Sequence, residues 1–106
     1  MSARAVALGV FETEIDALIA VKESLNQTFD QAVDLIVETL SARGKIVVVG
    51  IGKSGNVGIK IAATLSSTGA PSVVLNAVDA LHGDLGIVAD GDLILALSYS
   101  GETEEL

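Results

Sequence analysis

Five consecutive residues, Ile46-Val47-Val48-Val49-Gly50, leave this chain little structural choice. Four are β-branched, none is polar, and no alternation marks a face for water. Such a run suits a parallel strand covered on both sides. Ile51-Gly52-Lys53-Ser54-Gly55-Asn56-Val57-Gly58 comes next, then a helical pattern, Ile59-Lys60-Ile61-Ala62-Ala63-Thr64-Leu65. Strand, glycine turn and helix form a phosphate-binding arrangement. Glycines let the backbone approach an anion, and the free N–H groups and dipole of the helix start point at it. Gly50, Gly52 and Gly55 fit the dinucleotide spacing G-x-G-x-x-G. The acid expected after the second strand is missing, however, because Asn76 follows Val73-Val74-Leu75. A Walker A loop fails too: Gly52-Lys53-Ser54 fits its end, but Val47 stands where its first glycine belongs. The expectation is an anion cradle of neither kind. A ligand-free turn is the alternative, and four glycines, a lysine and a serine within residues 50–58 are more than a turn needs.

With 106 residues, half of them apolar, the chain is at most one domain and has mass for a core. It has no cysteine, which excludes disulfides, thiolate metal sites and a cysteine nucleophile. No stretch approaches the roughly 20 apolar residues of a membrane span. Met1-Ser2-Ala3-Arg4 runs straight into an acidic amphipathic segment unlike a signal peptide, so a cytoplasmic location is expected. Net charge is −8, with only Arg4, Lys22, Arg43, Lys45, Lys53 and Lys60 positive. Nucleic acid and anionic membrane are therefore poor partners. An anionic small molecule stays compatible, because a helix start and one lysine outweigh a distant field screened within about 10 Å.

Apolar residues at three- and four-residue steps (Leu8, Phe11, Ile15, Leu18, Ile19, Leu25) predict a helix over 4–24, with Glu12, Glu14, Asp16 and Glu23 opposite. A second helix is expected over 27–42, with Phe29, Val33, Ile36, Val37 and Leu40 on its buried side. Asn26 or Thr28 caps its start and Gly44 follows its end. These helices cover the sheet or pair with another subunit, and their pattern does not choose. Strands are expected at 45–50, 72–75 and 93–98, with a helix between the first two that stops at Gly69 before Pro71. A short helical or irregular connection over 76–85 carries the only histidine, His82, and Ala89-Asp90-Gly91 is a turn. Glu104-Glu105-Leu106 reads as the first turn of another helix. Alternating strands and helices mean right-handed crossovers and a parallel sheet. Three parallel strands leave an edge open, so an incomplete domain is expected: a helical segment at 1–44 and the first βα units at 45–106.

The third strand ends in a second cradle, Ser98-Tyr99-Ser100-Gly101-Glu102-Thr103. Hydroxyls and helix-start amides ligate phosphate, although plain N-capping is their ordinary role. With the first strand central, both loops flank the crevice where strand order reverses and open α/β sheets bind ligands. Gly50-Ile51-Gly52-Lys53-Ser54-Gly55, Leu81-His82-Gly83-Asp84-Leu85-Gly86 and Ser98-Tyr99-Ser100-Gly101-Glu102-Thr103, at these spacings, resemble the SIS (sugar isomerase) domain. Within it they look most like the arabinose-5-phosphate isomerases.

The resemblance implies a flavodoxin-like three-layer α/β/α fold, here truncated and preceded by two helices. It implies interconversion of D-ribulose 5-phosphate and D-arabinose 5-phosphate through an enediolate, for synthesis of the octulosonate sugar of bacterial outer membranes. A homo-oligomer without cofactor is expected. A non-catalytic phosphosugar sensor is the alternative, and a nucleotide-binding α/β domain is disfavoured by the missing acid. By the same resemblance Gly52, Ser54, Gly69, Ala70, His82, Ser98, Ser100 and Thr103 would bind the substrate and its phosphate. Lys53, His82 and Glu105 would be catalytic: Glu105 as base, Lys53 as oxyanion partner, His82 as ring-opening acid or hydroxyl ligand. Each has a plain rival, namely a solvated loop lysine, a histidine bonded to backbone, and an acid complementing a helix dipole. The chain departs from the family at three positions. Asn76 replaces a histidine associated with metal binding, which puts zinc in doubt. Asn56 replaces a histidine and Tyr99 an asparagine, which bears on substrate preference.

Overall fold

The computed structural model of the chain describes residues 2–76, 78 and 83–102. They form two compact units, residues 1–32 and 33–106. The first unit holds helix α1 (Ala3–Ser24) and the start of α2 (Gln27–Ser41). Ser2 caps α1, its hydroxyl accepting the Ala5 N–H at 3.1 Å. At the start of α2 the expected cap is Asn26, whose Oδ1 accepts the Thr28 N–H at 2.9 Å. No residue of either helix is fully buried. Of the apolar face expected for α2, only Ile36 and Leu40 reach the core, while Phe29, Val33 and Val37 stay exposed.

The second unit is a parallel sheet of β1 (Ile46–Gly50), β2 (Ser72–Asn76) and β3 (Leu93–Ala96), with β1 central. Ile46 pairs with Ser72 on one side and Leu93 on the other, and the register holds up to Gly50–Asn76 and Val49–Ala96. All of β1 is buried, as its unbroken apolar run requires. Its side chains alternate between two cores. Ile46 and Val48 meet Ala62, Ile61 and Leu65 of helix α3 (Gly52–Ser67), together with Ile36 and Leu40 of α2. Val47 and Val49 pack with Leu75 and Val88 on the opposite face. The connection from β2 to β3, with a 3₁₀ turn at Asp84–Ile87, supplies that thinner layer. Ile94 remains 52% exposed there.

Two local outcomes differ from the sequence pattern. Helix α3 begins at Gly52 rather than Ile59, so the glycine stretch is the helix's own first turns. Those turns lie directly on β1: a Cβ on Gly50 would stand 2.8 Å from the Gly55 nitrogen, and one on Gly58 would stand 3.0 Å from Val48 Cγ1. Strand β3 ends at Ala96, although the Leu97 N–H still donates to the Val49 carbonyl at 2.8 Å. At the other end of the strands, Lys45 and Asp92 join β1 to β3. The Lys45 ammonium pairs with the Asp92 carboxylate, which also accepts the Lys45 N–H at 3.1 Å and the Ala89 N–H at 2.8 Å. The Lys45 side-chain hydrogen bond, then the Ala89 amide, hold the Asp92 pKa at about 2, below the ordinary 3.8.

Candidate functional site

With β1 between β2 and β3, the strand order reverses beside the carboxyl end of β1, and a cleft opens there. Lys53, Ser54 and Val57 of α3 form one wall. Ala96, Leu97, Ser98 and Tyr99, at and beyond the end of β3, form the other. Its volume, about 650 Å³, is within the usual range for small-molecule sites.

The first wall is the start of α3. Ile51, which caps α3, offers no side-chain acceptor to the first amides of the helix. Those N–H groups and the positive end of the helix dipole therefore face the loop opening. Gly52 has φ +59°, with nothing within 4 Å of where a Cβ would stand, so the turn needs its backbone conformation rather than its small size. Lys53 follows on the exposed side and Ser54 is half-buried beside it.

The second wall is held by its own hydroxyls. Ser98 Oγ accepts the Gly101 N–H at 2.9 Å, and Ser100 Oγ accepts the Glu102 N–H at 3.1 Å. Gly101 has φ +75°, which a side chain would resist. Both serines thus do the local capping that their positions suggest. A hydroxyl oxygen that accepts from an amide still has its O–H to donate, so capping leaves Ser100 able to bind a phosphate oxygen.

Lys53, Ser54 and Ser98 meet in this cleft, with Gly52 at its helix start and Ser100 on the adjoining loop. Gly69 and Ala70 do not join them. They close α3 at its far end, where the Gly69 and Ala70 amides donate to the Ser66 and Leu65 carbonyls. That end precedes β2, a strand length of about 16 Å from the cleft. His82, Thr103 and Glu105 lie outside the described residues. Val57, Ala96 and Leu97 were missed as lining groups. The signal for Val57 was its place one turn along α3 from Lys53.

Position 76 does not fit a metal site as an imidazole would. Asn76 supplies a neutral amide whose Oδ1 accepts the Val78 N–H at 2.8 Å. Among the described residues no three His, Cys, Asp or Glu side chains converge. Likewise among them, no helix is long and apolar enough to cross a membrane.

Fold and cleft together define an open α/β domain with a crevice at its switch point. Residues 39–106 match the SIS domain family, and the chain belongs to it. Arabinose 5-phosphate isomerase KdsD of Pseudomonas aeruginosa is 44% identical over 99 residues, covering 93% of this chain and 28% of the relative. Arabinose 5-phosphate isomerase GutQ of Escherichia coli K12 is 46% identical over 93 residues, covering 88% of the chain and 28% of the relative. Among solved structures, E. coli CFT073 c3406 in complex with A5P superposes with a TM-score of 0.80 at 38% identity. The superposition covers 99% of this chain and 56% of that one. The chain thus spans under a third of these two curated relatives.

Proposed function

We propose that the chain provides the phosphate-anchoring part of an aldose–ketose isomerase that interconverts D-arabinose 5-phosphate and D-ribulose 5-phosphate. The observation that carries this reading is the meeting of the α3 start, Lys53, Ser54 and Ser98 in one cleft. Relatives that are arabinose 5-phosphate isomerases, and a similar structure in complex with A5P, support the choice of sugar.

In this reading the phosphate lies against the first amides of α3 and the Ser54, Ser98 and Ser100 hydroxyls, and Thr103 is assigned to it as well. Anchoring positions the sugar carbons but does not itself lower the barrier. A base removes the C2 proton of the aldose and the C1 carbonyl becomes the enediolate oxygen; a proton passes from the C2 hydroxyl to O1, and the proton returned to C1 leaves C2 as the carbonyl of the ketose. Glu105 is assigned as that base and His82 as the acid that opens the sugar ring. Lys53, on the cleft wall, offsets the charge developing on oxygen. No step uses a metal. Gly69 and Ala70, at the far end of α3, would reach such a cleft only from a second copy. The exposed apolar side chains of α1, Phe11 and Leu18 among them, support a homo-oligomer. A cytoplasmic location and supply of a sugar for the bacterial outer membrane accompany this function.

Calorimetry tests the anchor. Arabinose 5-phosphate should bind and arabinose should not, and Ser54→Ala should cost about 1.5–3 kcal/mol, the value of a hydrogen bond to a charged group. Equal binding of the two sugars would remove the phosphate from the site. In the complete protein, solvent deuterium should enter the substrate, and Glu105→Gln should stop it.

A further inference from the structure

We infer that Tyr99 is a specificity-determining residue of the cleft, whose ring contacts the carbon skeleton of the ligand and leaves the phosphate to other groups. The inference rests on the phosphosugar reading above.

Tyr99 is completely exposed, at 102%, yet lines the cleft wall opposite Lys53 and Ser54. Its backbone is fixed from both sides. Before it, the Leu97 amide is still paired with β1, and Ser98 Oγ holds the Gly101 N–H. After it, Ser100 Oγ holds the Glu102 N–H. A secured loop therefore presents a large amphipathic ring to water, where its apolar body gains nothing until a ligand covers it. With two side-chain torsions, it loses little conformational freedom when covered.

The remaining lining has two characters. Lys53, Ser54 and Ser98 are polar and suit phosphate oxygens. Val57, 56% exposed, and Ala96 and Leu97 are apolar and have nothing to offer an oxyanion. Bare phosphate would use the polar side alone. A sugar phosphate also carries C–H faces, which match an aromatic ring and an aliphatic floor.

The test uses the chain's own optics. Tyr99 is the only tyrosine and there is no tryptophan, so tyrosine emission reports this ring alone. Arabinose 5-phosphate should shield the emission from acrylamide quenching, and saturating inorganic phosphate should not. By calorimetry, Tyr99→Ala should weaken arabinose 5-phosphate binding roughly 2- to 12-fold and leave inorganic phosphate unchanged, while Tyr99→Phe should keep the parent affinity. Because the side chain packs on nothing, neither variant should alter the urea midpoint. Equal shielding by the two ligands, equal loss for both in Tyr99→Ala, or no loss at all overturns the assignment. If arabinose 5-phosphate binds and Tyr99 is indifferent, this inference alone falls. If the parent chain binds neither ligand, the phosphosugar reading falls and takes the inference with it.

Discussion

Arg43 and Gly44 share a task that one glycine ordinarily performs. Helix α2 closes with the Arg43 amide on the Leu40 carbonyl and the Gly44 amide on the Thr39 carbonyl. The left-handed residue of that closure is Arg43, at φ +65°, not the glycine. Gly44 is committed elsewhere: a Cβ there would lie 2.3 Å from the Gly91 carbonyl oxygen. The sequence pattern put a glycine after this helix correctly but could not reveal a contact with a turn so distant in the chain. Arg43→Gly should therefore stabilise the fold by about 0.5–1 kcal/mol, the left-handed penalty less the added freedom of the unfolded chain. Gly44→Ala should destabilise it by roughly 1–3 kcal/mol. Urea midpoints at constant slope measure both. Asp92 gives a pH prediction. Its carboxyl is held at about 2 in the fold against 3.8 ordinarily, so the unfolded chain takes up that proton first as pH falls. Its contribution is complete above about pH 4 and disappears as pH falls through about 2. Asp92→Asn should flatten the urea midpoint across that window, and an unchanged slope would show that Lys45 does not hold the carboxylate in solution.

Strand β1 and helix α3 were the most legible elements, and the reason is physical. A run of β-branched residues with no polar break has one comfortable location, the centre of a sheet, and β1 is there with both faces covered. The start of α3 was less legible, because glycine lowers helix propensity and the pattern alone put the helix at Ile59. Tertiary contact overrides propensity here, since only glycines at 50 and 58 let the helix lie so close to β1. Gly50→Ala would press a methyl onto the backbone of Ser54 and Gly55. It should both lower stability and weaken phosphate binding, by displacing the first amides of α3; lost stability with unchanged binding would separate the helix start from the anion. Val48→Ala, at a fully buried position, should cost about 2–3 kcal/mol, whereas Val74→Ala on the edge strand should cost well under half of that. The faces of α2 were only partly legible. Periodicity marks an apolar stripe but not how much of it finds a partner, and here Ile36 and Leu40 do.

At the scale of the molecule, the parallel order with β1 in the middle follows from alternating strands and helices. The cleft follows from that order: its two walls are the helix after β1 and the loop after β3, joined through sheet pairing and through the packing of Leu95 and Leu97 with the core under α3. What sequence could not supply was distance, and so Gly69 and Ala70, close to the phosphate in expectation, sit at the opposite strand end. The strand order also has a kinetic side. Ile46 meets Ser72 across a single helix, but meets Leu93 only after the whole second connection has been laid down. Local closures precede distant ones, so β1, α3 and β2 assemble first and β3 docks last. The cleft straddles that final seam, and a ligand held by both walls is a staple across the part of the sheet that opens most easily. Bound sugar phosphate should therefore slow amide hydrogen exchange of Leu95 and Leu97 much more than that of Val74 and Leu75. Uniform protection of all three strands would mean that the sheet opens as one.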